Sequence, residues 1–149
     1  VSVVVLPDLL DDLEDEMARH PQVKLEVEEW FADGLYARAI FIPAGTVATG
    51  RKHKQGQISI LIKGDVTMVG EGDDQRIKAP KVTVSEAGLR RAAFAHEDAI
   101  LVTVHATDCK DSAKITEALT EPARPHIEKL RLETGQGEPN ELLPDYGGA

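Results

Sequence analysis

From residue 23 to residue 105 the chain is a succession of short, alternating apolar runs, each cut off by a turn signal. This pattern constrains the fold more than any other feature. Val23, Leu25 and Val27 alternate with Lys24, Glu26 and Glu28, the period of a strand with one buried face. Asp33-Gly34 and Pro43-Ala44-Gly45 are turns on either side of a second run, 35–42. Runs at 47–49, 58–62, 65–69, 75–77, 81–85, 92–95 and 99–105 follow, separated mostly by glycine-bearing turns. Many short strands at close spacing predict an all-β, antiparallel jelly-roll sandwich. Its expected core includes Val27, Ile42, Val66 and Ile100, and equally Leu35, Ile62, Val82, Val84 and Phe94.

The flanks read differently. Leu9, Leu10, Leu13 and Met17 recur at helical spacing over residues 8–19, with acids on the other face. His20-Pro21 ends that helix, because the residue before proline leaves the α region. His20, Glu14 and Asp15 read as its solvated face. Val3, Val4, Val5 and Leu6 form an apolar arm before it. After residue 108 a short helix is expected over DSAKITEAL, a further turn or two at 126–132, and then a Gly/Pro-rich tail. Leu142, Leu143 and Tyr146 punctuate that tail as docking residues. The organisation is therefore 1–22 arm and helix, 23–108 β-domain, and 109–149 short helix and extended tail.

A net charge of −9 repels phosphate backbones and anionic headgroups, which argues against nucleic acid and membrane as partners. The one cysteine, Cys109, has no partner for an intrachain disulfide and reads as an inert turn residue. No glycine pattern makes a nucleotide loop, and no Ser-His-Asp arrangement is present. The basic residues concentrate at Arg51, Lys52, His53 and Lys54, and again at Arg90 and Arg91. Arg51, His53, Gln57, Arg91 and His105 are the candidate pocket residues, for an anion or a partner's carboxylates.

Two stretches, FIPAGTVATGRKHKQGQISILIKG (41–64) and APKVTVSEAGLRRAAFAHEDAILVTVHAT (79–107), resemble the two halves of a cupin barrel. In that frame Arg51, His53 and Gln57 take the places of the His-x-His-x3-Glu ligands, counted back from Gly64. Glu86, Gly88 and Arg91 take those of Pro-x-Gly-x-x-His. Only His53 keeps a metal-ligand type, as a relic. The resemblance with this loss implies no catalytic metal and no cofactor.

Over residues 16–108, the pieces GLYAR, IPAGT, TGxxHK, the AGxxR and AHED turns and VHAT resemble small cupin-like proteins of tailed bacteriophages and prophages. Ala39 stands where that group has glutamate. This resemblance implies a non-catalytic virion component, a capsid cement protein or a tail-fibre-associated one, made in the host cytoplasm. It would bind capsid or tail subunits and form a homo-oligomer, a trimer in the favoured reading, through its arms. The competing reading is a small metal-dependent or sugar- or anion-binding cupin enzyme.

Overall fold

The computed structural model describes residues 6–70 and 74–136. Helix α1 (Leu6–Met17) precedes nine strands: β1 (Glu26–Ala32), β2 (Leu35–Ile42), β3 (Val47–Thr49), β4 (Gln57–Lys63), β5 (Asp65–Gly70), β6 (Gln75–Lys78), β7 (Lys81–Ser85), β8 (Arg91–Ala95) and β9 (Ala99–Ala106). Two helices follow, α2 (Ile115–Leu119) and α3 (Pro125–Thr134). The strands make two antiparallel sheets, ordered β1-β2-β9-β4-β7 and β3-β8-β5-β6. This is the all-β jelly roll that the alternation predicts. Val3, Val4, Val5, Leu142, Leu143 and Tyr146 lie outside the described residues. Leu6 opens α1 rather than ending the apolar arm before it.

The first strand begins later than its alternation suggests. Residues 23–25 keep a period of two, yet they are not in the sheet. The Gln136 side chain meets them instead. Its Oε1 accepts from Leu25 N at 3.2 Å, and its Nε2 donates to Val23 O. The Asp33-Gly34 hairpin then fixes the register from Ala32 opposite Leu35 back to Glu26 opposite Phe41.

The two sheets meet over Ile42, Leu61, Val66, Ala93, Ala95 and Ala99, with Ile40, Met68, Ile77 and Leu101 packed against them. The small residues of β8 let the sheets approach closely. Gly64, between β4 and β5, has φ +102°, and a Cβ there would stand 2.7 Å from Ala99. Only glycine fits. Five residues of the expected core are instead exposed: Leu35, Ile62, Val82, Val84 and Phe94. Leu35, Ile62, Val82 and Val84 stand on the outer face of the five-stranded sheet, and alternation alone cannot say which face is inside.

The segment after residue 108 packs back on the barrel. Ile115 and Leu119 of α2 bury against Tyr36, with Phe31 and Cys109 beside them. A short antiparallel link, His53 opposite Thr120, ties this segment to the loop after β3. Lys54 N donates to Leu119 O at 2.9 Å and Glu121 N to Lys52 O at 2.8 Å.

The reading of Glu14 as part of a solvated helix face does not hold. Its side chain is only 3% exposed. Arg90 pairs with it, Arg131 Nη2 approaches at 3.3 Å and Arg124 Nη2 at 3.5 Å. Thr49 Oγ1 donates to it at 3.2 Å. Three guanidiniums, from the turn before β8, the loop before α3 and α3 itself, thus converge on one carboxylate of α1. Arg90 and Arg124 share a second acid, Asp11.

Removing one partner from a buried ionic cluster strands the others at a cost of several kcal/mol. Glu14→Gln is expected to lower unfolding stability by about 3 kcal/mol, read by urea denaturation. An unchanged midpoint would mean that the cluster does not hold α1 and α3 to the barrel.

Candidate functional site

The inner face of the five-stranded sheet changes character along the barrel. At one end it is the apolar core just described. Toward the other end Tyr36, Arg38, Ser59, Thr103 and His105 replace apolar residues, and a cavity of about 640 Å³ opens between the sheets. Such a volume suits a small organic molecule. Arg51, His53, Gln57, Arg91 and His105 all line this one cavity. The other basic residues go elsewhere. Arg90 turns to Glu14 and Asp11, and Lys54 Nζ donates to Glu117 O at 2.9 Å. His96 is an exposed turn residue against Phe94 and Thr67.

The centre of the site is an aromatic column. Phe31 and Tyr36 have ring centroids 5.1 Å apart, Tyr36 and His105 5.8 Å, and His105 and His53 5.3 Å with planes only 16° from parallel. Tyr36 Oη donates to Glu29 Oε2 at 2.8 Å. Burial, and then that bond to a carboxylate, raise the phenol far above its ordinary value, so it stays protonated. His105 Nε2 and Thr103 Oγ1 are 2.9 Å apart. Burial first, then the charges of His53 and Arg38, depress His105 to about 4. His53 is lowered as well, mostly by burial and then by Arg38. Both imidazoles are neutral bases at pH 7.

Arg38 is the residue that sequence reading passed over. It stands on β2 between Tyr36 and Ile40, and alternation puts 36, 38, 40 and 42 on the cavity face. A lone arginine on an otherwise inward-facing set was the available signal. Burial lowers its pKa, partly offset by the nearby Tyr36 and Glu29. Among the described residues it has no hydrogen-bond acceptor, although Glu29 attracts it through space. Gln57 Oε1 is likewise buried without a partner. Arg51 differs, because Glu128 of α3 engages its guanidinium through both oxygens, Nη2 to Oε2 at 3.0 Å. That pairing holds the Glu128 carboxyl below its usual range.

These residues do not fit a divalent metal. The two imidazoles stack face to face rather than converging their nitrogens on a point. Arg38 presents a positive charge to both. Among the described residues no group of three His, Cys, Asp or Glu side chains stands close enough to hold an ion. What the site offers is a guanidinium donor, a buried amide acceptor and two neutral imidazoles.

No family model matches the chain, and no curated protein matches it. Solved structures do. Salicylate 1,2-dioxygenase from Pseudaminobacter salicylatoxidans superimposes with a TM-score of 0.53 at 16% identity, over 74% of this chain and 33% of that one. The DMSP lyase DddQ from Ruegeria pomeroyi gives 0.51 at 15%, over 59% and 49%. KdgF from Halomonas sp. gives 0.50 at 17%, over 60% and 89%. The match thus spans about half the length of the lyase and a third of the dioxygenase. The expectation of a non-catalytic protein does not stand. It rested on lost metal ligands, whereas enzymes such as the lyase and the dioxygenase are built on this fold. Identities this low establish architecture alone, and the architecture is the cupin jelly roll.

Proposed function

We propose that the chain is a small cupin enzyme that binds a hydroxy acid of sugar-acid type in its barrel cavity. The observation that carries this is Arg38, a half-buried guanidinium that faces the cavity without a hydrogen-bonding partner among the described residues. Leaving charged donors unmet is costly, and a carboxylate is the planar acceptor that satisfies a guanidinium bidentately. Gln57 Oε1 is the complementary orphan, an acceptor that asks for a donor such as a hydroxyl. Together they read a molecule carrying both groups.

The chemistry these side chains supply is proton transfer. With its carboxylate on Arg38, a ligand lies beside His53 and His105, both neutral and able to take a proton. Tyr36, locked as a phenol by Glu29, positions His105 through ring contact. A virion role has only the resemblance to phage proteins behind it. The cavity and the enzymes of this fold support the catalytic reading, which we adopt.

The test is a thermal-shift and calorimetric panel of small acids, galacturonate, gluconate, lactate and benzoate, each beside its methyl ester. A hydroxy acid is expected to raise the melting temperature where its ester does not. Arg38→Met should weaken that binding by about 100-fold, the loss of a bidentate charge-assisted contact. If no acid binds, or binding survives Arg38→Met, the reading fails.

The pH dependence of stability follows from His105. The unfolded chain takes up a proton near the ordinary imidazole value of 6.5 and the folded protein only near 4. Between those values the unfolded state binds more protons, so stability falls as pH falls. The His105 contribution is fully present above about pH 7 and lost on acidification through that window, on the order of 3 kcal/mol. His105→Gln should flatten this part of the stability curve relative to wild type, measured by denaturation from pH 7 to 4. Parallel curves would place the histidine in water.

A further inference from the structure

The cavity changes chemistry along β2, and a bare sugar acid accounts for only one end of it. Strand registers place Arg38, Thr103 and Ser59 in one row across β2, β9 and β4. The next row on the same face is Val27, Ile40 and Leu101. All six residues line the cavity. Successive rows on one face stand about 7 Å apart, so this wall turns from polar to apolar one step from Arg38. Met17 of α1, Val23 and Leu25 of the segment that follows it, Val47 of β3 and Leu130 of α3 line the same cavity. Leu25 comes two residues before Val27 in the chain, on the side away from the polar row, and Val23 is 50% exposed, so the apolar end opens to solvent.

Protein interiors hold few apolar voids larger than a water molecule, because an unfilled one forfeits dispersion contacts. The whole cavity, about 640 Å³, is the size of a site for a drug-sized ligand, well over that of a bare sugar acid. We propose that the ligand is a sugar acid joined to an apolar group. Its carboxylate and hydroxyls take the polar end, and an alkyl or aryl substituent lies along Ile40 toward Leu25 and Leu130. This rests on the carboxylate reading of Arg38 and adds the other half of the molecule.

Two arguments commit the apolar end to a substituent of the same ligand. The first is continuity. One strand carries both ends on one face, from Tyr36 and Arg38 to Ile40 and Ile42, and all four line the cavity. The second is span. A single six-membered ring is about as long as the 7 Å step between rows, so a ring held at Arg38 by its carboxylate reaches the apolar row with its far side. A second sugar ring there would bury hydroxyls against Val27, Ile40 and Leu101, whose side chains offer them no hydrogen bonds. An alkyl chain in the same place gains about fourfold in affinity for each methylene buried.

The test is calorimetric titration of the full chain with galacturonate, its methyl glycoside and its butyl glycoside, each with a free carboxylate, beside uncharged butyl galactoside and digalacturonate. The butyl glycoside is expected to bind roughly 50-fold more tightly than the methyl one, the effect of three buried methylenes. Butyl galactoside, without the carboxylate, should bind at least about 100-fold more weakly than the butyl galacturonide. Leu130→Asn makes the apolar end polar, and Ala18→Phe, at another cavity-lining position, fills it. Each should cut the butyl-to-methyl ratio below about fivefold, and either variant decides the matter if the other fails to fold. Equal binding of the methyl and butyl glycosides overturns the proposal, as does digalacturonate binding more tightly than the butyl glycoside. A ratio unchanged in the folded variants overturns it too. If galacturonate binds through Arg38 and the butyl group adds nothing, the carboxylate reading stands and this inference alone falls. If none of the acids binds, both fall.

Discussion

Everything at the mouth of this barrel depends on the Glu14 carboxylate and the three arginines that meet on it. Arg90, Arg124 and Arg131 come from positions far apart in sequence, and each would be costly to bury alone. Glu14 gives them one shared counter-charge, with Thr49 completing its hydrogen bonding. The result is that α1 and α3 are fixed to the barrel, and α3 in turn delivers Glu128 to Arg51. Arg51, though it lines the cavity, is thereby paired with a carboxylate, while Arg38 faces the cavity without a hydrogen-bonded acceptor among the described residues. Two arginines of similar chemistry acquire different tasks because one has a carboxylate supplied by a helix and the other does not.

Toward one end of the barrel the five-stranded sheet turns polar residues to the cavity while its outer face there carries several apolar ones. Tyr36, Arg38, Ser59, Thr103 and His105 face inward, while Val82, Val84, Ile58 and Trp30 face outward. The inward set accounts for a site that a small polar molecule completes. The strands' period of two keeps the polar residues of the cavity side apart from the apolar residues of the outer side.

The strands themselves were legible because glycine and proline turns cut the sequence every few residues, and these turns bound most of the observed strands. Two kinds of error had physical causes. Alternation reports that a strand has two faces but not which is inside, so Val82 and Val84 were placed in the core. Residues 23–25 alternate like a strand, yet a distant side-chain amide, Gln136, takes their backbone groups. Arg51, His53, Gln57 and Arg91 were readable because the two cupin-like halves give each of them a ligand position, and His105 because it alternates on the strand β9 that follows. Arg38 was not, since it lies outside that frame. The burial of Glu14 was also hidden, because nothing near it in sequence announces three arginines from residues 90, 124 and 131.

The loss of metal ligands at the frame positions led to the expectation of an inert protein, and the geometry shows why that step was too short. In a metal-bearing site the ion is a positive charge that fixes an anionic ligand in a low-dielectric pocket. A guanidinium is also a fixed positive charge, with donors arranged for a carboxylate. The inward Arg38 keeps a positive charge at the cavity without an ion. The two histidines then change role. Burial, and then the charge of Arg38, hold them neutral, so in the proposed function they act as proton acceptors beside the ligand's carboxylate. In the proposed function, what is lost as coordination is available as acid–base chemistry.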